Sequence, residues 1–434
     1  MNMKITDLAV YRNYLVIFIP VLVYYIVVNH FSLNLPYHDD YLAVLKFLES
    51  YQTAPFMSKV ALLLHQHNEH RMLSSRLIYV IYYNLTGGLN FRALIFIGNA
   101  QMVVVLLILV YFIRKLLVNN WLLPGIAASI CLFDLSNYEN STWAMASIAN
   151  YGVIFFFMLS LYYYSLNSKY TIWLALLFQA VCTFANGNGI IGSFVLLLFA
   201  LSLCNRAKIY AAVSAFVIFA PLYFFHYHKV VTGASRNSIP TVISNMFNFA
   251  GAHFVIREYR HGIYPAMLFS LITIAVLIIV LPFTKKKIAQ KETLPLVAVV
   301  YFAMATMLVT SVVRFCSHQI SSRYLVYPHL IEVSIFALFI YWHKASKFQP
   351  RVTYAWLVLL IGGYVLNSYD GWKGMDRNRK ELLVHEYYIG SGIWEPSDSA
   401  MGRNVSDKAC LMKIYCQEEH RKDYVDLYNE ALKK

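Results

Sequence analysis

Charge is what this chain lacks. Of 434 residues, 36 are basic and 22 acidic, together 13%, while 59% are hydrophobic. Soluble domains carry roughly 25% charged and 45–50% apolar residues. So few charges cannot cover a globule of this size, which excludes a soluble enzyme. A disordered chain is excluded too, because it needs low hydrophobicity. Cysteine is also scarce, and six in this length exclude a disulfide framework. Cys131, Cys182 and Cys204 fall in apolar runs as packing residues. Only Cys410 and Cys416, six positions apart in a polar tail, are candidates for a bridge. There is no internal repeat, and polar residues within the apolar runs are few, Asn99 and Gln101 being the clearest.

What is present is long apolar sequence, with a mean hydropathy of +0.53. A bilayer core of roughly 30 Å needs about 20 apolar residues per helix. Eleven segments meet or approach that length: 13–31, 91–112, 121–135, 146–166, 170–185, 189–204, 208–226, 264–283, 293–312, 323–342 and 352–367. The fold class expected is therefore an all-α polytopic membrane protein with about eleven transmembrane helices. The first run lacks a small-residue cleavage site and reads as a retained span. The net charge of +14 reflects sorting by side, and nucleic acid is not an expected partner. With the N-terminus in the cytoplasm, the inner turns carry Arg114-Lys115, Lys169, Arg206 with Lys208, Lys285–Lys287, and Lys344 with Lys347 and Arg351. The C-terminus then lies outside. Residues 1–367 form the transmembrane domain, with a first outer loop at 32–90, and 368–434 form a small outer tail. In the tail, 421–434 has one apolar helical face.

The outer connections hold most of the acidic residues and histidines. The first opens with Pro36-Tyr37-His38-Asp39-Asp40-Tyr41, the only pair of adjacent aspartates in the chain. It sits where an amphipathic surface helix should begin. One reading is a plain Asp N-cap; the other is a general base at the membrane lip. The same loop carries His65-Gln66-His67-Asn68-Glu69-His70-Arg71, whose spacing matches neither HExxH nor a zinc finger. A hydrogen-bonding cluster is expected instead, with Arg71 meeting a phosphate and Glu69 a sugar hydroxyl or Arg71 itself. An apolar run at 77–85 is too short to span and reads as an interfacial helix.

Three further motifs face the same side. Tyr138-Glu139-Asn140-Ser141-Thr142-Trp143 offers an acid, an amide and an aromatic face suited to a sugar, or a polar cap with a Trp at the interface. Asn186-Gly187-Asn188-Gly189 is a tight turn that also permits close ligand approach. Arg314 and Arg323, the latter followed by Tyr324, bracket a connection between spans and suit either lipid phosphate or one bound phosphate. The fourth outer connection, with His226, His228, Lys229, Arg236, Arg257, Glu258, Arg260 and His261, reads as a solvated lid.

In this order and sidedness the motifs HDDY, HNEHR, YENSTW, FANGNG and R…SSRY resemble the GT-C class of membrane glycosyltransferases. More closely, they resemble the bacterial polytopic glucosyltransferases that modify O-antigen and convert serotype. The pattern covers 36–324. The resemblance implies transfer of a sugar, glucose first, from an undecaprenyl-phosphate donor to O-antigen polysaccharide at the outer face of the bacterial inner membrane. It implies inversion, with Asp39 or Asp40 as base and Asp39 favoured. Arg314, Arg323 or Arg71 would meet the phosphate, without an essential metal or other cofactor. His38, His67, Glu69, His70, Glu139, Asn140, Trp143, Asn186 and Tyr324 are the further substrate-binding candidates. A flippase and a cytoplasmic-side donor synthase are the expected pathway partners. An O-antigen polymerase and a transporter of lipid-linked sugars remain alternatives.

Overall fold

A computed structural model describes residues 5–166, 168–228, 238–251, 291–313, 320–343, 349–390, 399–416 and 429. The expected span 264–283, Arg314, most of the basic fourth connection, the Lys285–Lys287 and Lys344–Lys347 turns and the face expected at 421–434 lie outside these residues. The chain is helical almost throughout the described part, and seven of its helices are long and apolar enough to cross a membrane. The long ones are α1 (Ile5–Phe31), α5 (Phe91–Leu117), α8 (Ala144–Ser165), α11 (Arg206–Phe224), α13 (Leu294–Val313), α14 (Val326–Trp342, with the turn before it) and α15 (Gln349–Gly390). Two expected spans are shorter apolar helices, α9 (Lys169–Thr183) and α10 (Gly189–Ser202), of 15 and 14 residues. The core is built where α5 packs on α8, α8 on α9, α10 on α13 and α13 on α14.

The expected span 121–135 is shorter still. α6 (Leu122–Leu132) has 11 residues, about 16 Å at 1.5 Å per residue. A 3₁₀ turn, Leu135–Asn137, and the short helix α7 (Tyr138–Thr142) follow. Irregular backbone in the protein interior must find hydrogen bonds, and Asp134 supplies several. Its Oδ1 accepts from Ser136 N at 3.1 Å and Ser136 Oγ at 2.6 Å. Its Oδ2 accepts from Asn367 Nδ2 at 2.9 Å and lies 3.4 Å from His329 Nε2. Asp134, His329, Asn367 and the neighbouring Glu332 are buried. The sequence reading put few polar groups inside spans, yet His329 and Glu332 both stand within α14. They escape notice there because the surrounding residues are strongly apolar. α15 approaches this turn closely. A Cβ at Gly371 would sit 1.9 Å from Leu135 O, and one at Gly374 would lie 2.6 Å from the Tyr138 ring.

The tail boundary expected at 367 falls inside α15, which runs 42 residues, about 63 Å. Its apolar stretch ends, but helix-supporting pairs continue, such as Lys380 Nζ to Asp376 Oδ2 at 2.7 Å. The far end buries Leu382 and Leu383 against Leu33 and Leu35 of the first loop. That loop contains a π-helical turn, Tyr41–Lys46, running into α2 (Phe47–Thr53), then α3 (Phe56–Leu64), a two-stranded hairpin, and α4 (Leu73–Thr86). α4 contains the run read as interfacial, and it ends on Gly87, whose φ of 74° only glycine adopts freely. α16 (Ser399–Leu411) packs on the π-helical turn. Cys410 and Cys416 are joined in a disulfide. The loop this closes is tied down by Leu89 N donating to Ile414 O at 2.7 Å and Tyr415 OH donating to Asn34 O at 2.6 Å.

Candidate functional site

The ends of five helices and the first loop meet at the end of the bundle opposite the turns 118–121 and 203–205. They enclose a cavity of about 660 Å³. Its polar lining includes Asp39, His67, Glu69, His70, Asn150, Asn186, Asn188 and Arg323, with Tyr223, Tyr227, Tyr324 and Tyr327. Its apolar flank includes Val309 and Val313 of α13 and Phe224 of α11, each exposed on the bundle surface.

The acidic pair divides at this cavity. The turn begins at His38, which has a φ of 46°, and Asp39 O accepts from the amides of Leu42 and Ala43. Asp40 does not cap the helix that follows with its side chain. Its carboxylate turns inward, accepting from Tyr37 N and from Met145 N, both at 3.0 Å. Asp40 is completely buried. Burial pushes its carboxyl up to about 8, against the opposing pull of the two amides. Asp40 thus fastens the loop to the start of α8. Asp39 lines the cavity, and among the described residues no donor bonds its carboxylate. The two neighbours therefore have different work: one is architecture, the other is available for chemistry.

Arg323 is the one arginine or lysine among the described residues that line the cavity. Its guanidinium lies over the Trp143 ring at 5.6 Å and beside the Tyr324 ring at 5.8 Å. Its Nε donates to Ser321 Oγ at 3.1 Å. Glu139 Oε2 accepts from Arg323 N at 3.1 Å and from Ser321 Oγ, and lies 3.8 Å from Arg323 Nε. Burial pushes the Glu139 carboxyl up, but Arg323 and these donors outweigh it and hold the group below its usual range. Glu139 is thereby an ionised brace for Arg323.

Several candidates have roles other than those expected. Arg71 is buried, and its guanidinium donates to the carbonyls of Tyr223 at 2.7 Å, Leu64 and Phe225. It closes the ends of α3 and α11 and does not line the cavity. Trp143 is buried beneath Arg323, with its ring edge-on to Tyr37 and His38 at 5.5 Å, so it offers no open face to a sugar. His38 is exposed but packs on Tyr37 outside the lining. Asn140 is fully buried, donating to Arg323 O at 2.9 Å.

The HQHNEHR segment forms a hairpin pairing Gln66 with Arg71 and His67 with His70. Asn68 takes the turn at a φ of 49°, a conformation Asn tolerates. The hairpin aims His67, Glu69 and His70 into the cavity and clips to the end of α11: Gln66 Nε2 donates to His228 O at 2.6 Å, and Gln66 Oε1 accepts from His228 N at 3.0 Å. Burial lowers the His67 imidazole below its ordinary value, against the pull of Asp39. The His70 ring packs so closely on Gly187 that a Cβ there would meet Nδ1 at 2.5 Å. Among the described residues no cluster of His, Cys, Asp and Glu has the arrangement of a metal site.

Asn150, Asn188, Thr306 and Tyr327 also reach this site and were not singled out as candidates. Three of them sit within apolar helices, where a lone polar residue gives no motif. No family model matches the chain, and comparison with curated proteins finds no relative.

Proposed function

We propose that this chain is a membrane glycosyltransferase that moves a sugar from a polyprenyl-phosphate carrier to a polysaccharide acceptor. The observation that carries the reading is the cavity itself. It brings a carboxylate with no bonded donor among the described residues, a braced guanidinium and neutral hydrogen-bonding groups together beside an apolar flank at one end of a membrane bundle. The flank suits a lipid tail, and the polar wall suits a sugar phosphate.

In this reading Asp39 accepts the proton of the acceptor hydroxyl. The hydroxyl oxygen bonds to the anomeric carbon as the carbon–phosphate oxygen bond breaks, inverting the centre. The bonding electrons leave with the lipid phosphate, and Arg323 faces its growing negative charge. A fixed guanidinium gives that charge a counterpart without an essential metal. The glucosyl donor, the O-antigen acceptor, the GT-C-type architecture of about eleven spans, the inner membrane and the periplasmic side of the cavity all belong to the proposal. So do a cytoplasmic N-terminus, an external C-terminus, and a donor synthase and flippase upstream.

The test is transfer from polyprenyl-phosphate glucose to purified O-antigen by the detergent-solubilised protein. A new glucosylated product, lost in Arg323→Ala and poorly restored by Arg323→Lys, supports the reading. Chain lengthening of the O-antigen without a side branch favours a polymerase. Movement of the lipid-linked sugar across vesicles without any new glycosidic bond favours a transporter.

A further inference from the structure

One wall of the cavity is an ordered row of side-chain amides. Gly187 N donates to Asn186 Oδ1 at 2.7 Å, Asn186 Nδ2 to Asn150 Oδ1 at 2.8 Å, Asn150 Nδ2 to Asn140 Oδ1 at 2.8 Å, and Asn140 Nδ2 to Arg323 O at 2.9 Å. An amide side chain is usually ambiguous, because its oxygen and nitrogen can exchange places by a flip. Here both ends of the row are backbone groups of fixed character: Gly187 N only donates, and Arg323 O only accepts. Turning any one amide would set nitrogen against nitrogen or oxygen against oxygen. The sense of the whole row is therefore fixed.

Each amide in the row uses one N–H and one lone pair of its oxygen on its neighbours. One N–H and one lone pair per amide remain. Asn140 is buried in protein, but Asn150 and Asn186 line the cavity. Beyond the row, Asn188 Nδ2 donates to Tyr327 OH at 2.6 Å, with Thr306 Oγ1 at 3.5 Å. Its Oδ1 is left as an acceptor among the described residues, and Asn188 lines the same cavity. The wall thus presents alternating donors and acceptors at set positions and carries no charge. Asp39 and Glu69 also line the cavity, and Arg323 is the one arginine or lysine among its described lining residues. A second anionic group beside them would be repelled.

We infer that Asn150, Asn186 and Asn188 form a recognition wall for an uncharged, polyhydroxylated sugar, and that Asn150 holds its register. This rests on the transferase reading above, because it names the substrate class of that same cavity. Hydroxyl groups both donate and accept, so they match an alternating amide row, and a neutral ring adds no charge. Asn150 links α8 to the 186–189 turn. Removing its amide breaks the row at its middle and unpins the amides on either side.

The experiment measures retention of radiolabelled lipids by the purified full-length protein. The probes are bare polyprenyl phosphate and the same lipid esterified to glucose, galactose, N-acetylglucosamine or glucuronic acid. At least one neutral ester should bind roughly tenfold more tightly than the bare phosphate, the gain of one or two net hydrogen bonds. The glucuronate ester should bind no better than the bare lipid. In Asn150→Ala the gain from the neutral sugar should vanish, so that the neutral ester binds no more tightly than bare polyprenyl phosphate measured on the same variant. The inference is overturned if no neutral ester exceeds the bare phosphate, if glucuronate binds best, or if a folded Asn150→Ala keeps the full gain. Should that variant fail to fold, the wild-type comparison of esters still decides. Failure of the wild type to retain any of the lipids, bare phosphate included, would instead overturn the lipid-carrier reading on which the inference stands.

Discussion

Two polar regions of this protein use the same chemistry to different ends. At the cavity, Asp39, Arg323 and the amides of Asn150 and Asn186 surround open space. At the junction after α6, Asp134 meets Ser136, Asn367 and His329 in the buried interior. Both regions hold a carboxylate, an amide and a cationic or imidazole group. The difference is saturation. Both oxygens of Asp134 already accept hydrogen bonds from protein, which fixes a backbone break. The Asp39 carboxylate has no bonded donor among the described residues, which leaves its lone pairs for a proton. Asp40 repeats the lesson one residue away, since its two oxygens are taken by the amides of Tyr37 and Met145.

The sharpest way to break the comparison is to exchange the fates of the two carboxylates. Asp39→Asn should reduce sugar transfer by ~10²–10⁴-fold, the usual loss for a general base. Thermal unfolding in detergent should be unchanged, because no folded contact is removed. Asp134→Ala should show the opposite pattern, a loss of about 1–3 kcal/mol for each buried partner left without its hydrogen bond, seen as low yield and a depressed melting temperature. A folded, fully stable Asp134→Ala protein would mean that the junction is not held as described.

Gly371→Ala probes the same junction from α15. Its added methyl would press on Leu135 O, with an expected overpacking penalty of about 1–3 kcal/mol, read by the same melt. A melting temperature equal to wild type would show that the turn can retreat. The clasp at the tail should matter less. Replacing both Cys410 and Cys416 by Ser opens a six-residue separation, and the chain-entropy estimate for so small a loop is about 2 kcal/mol. Because α16 lies on the π-helical turn after Asp39, transfer should fall with the melting temperature. Unchanged activity at lowered stability would separate the clasp from the site.

A further test uses pH. The Asp40 carboxyl in the fold is raised by burial to about 8, above its unfolded value. The folded state therefore holds its proton more tightly. That contribution to stability is complete below the ordinary carboxylate range and is lost as pH rises towards about 8. The wild type should lose melting temperature across this window more steeply than Asp40→Asn, which cannot ionise. Parallel profiles would place the titration elsewhere.

The long apolar helices, the acidic pair, the first-loop helices and the polar motifs that meet at the cavity were legible in the sequence, because each rests on local composition and spacing. The division between Asp39 and Asp40 was not, since it depends on Met145, more than a hundred positions away, supplying an amide to one of them. Arg71 resembles a phosphate ligand in sequence, but an arginine bonded to three carbonyls and one facing solvent have the same neighbours in the chain. The segment 121–135 is visibly short in the sequence, but the end of its helix at Leu132 is not, because the apolar run continues through Phe133. Asn150, within an apolar helix, carries no motif at all. Its meaning comes only from the two asparagines that other segments bring to it.

The clasp between tail and first loop also bears on how the protein is made. Tyr415 reaches Asn34 across 381 positions, and Ile414 holds the backbone at Leu89. During synthesis the Asp39 loop leaves the ribosome long before the segment that closes on it, since Tyr415 follows Asn34 by 381 positions. The helices can insert one after another, but the loop cannot take its final packing until that segment has been made. A chain stopped before residue 399 would contain every described residue that lines the cavity and lack the helix that packs on the turn after Asp39.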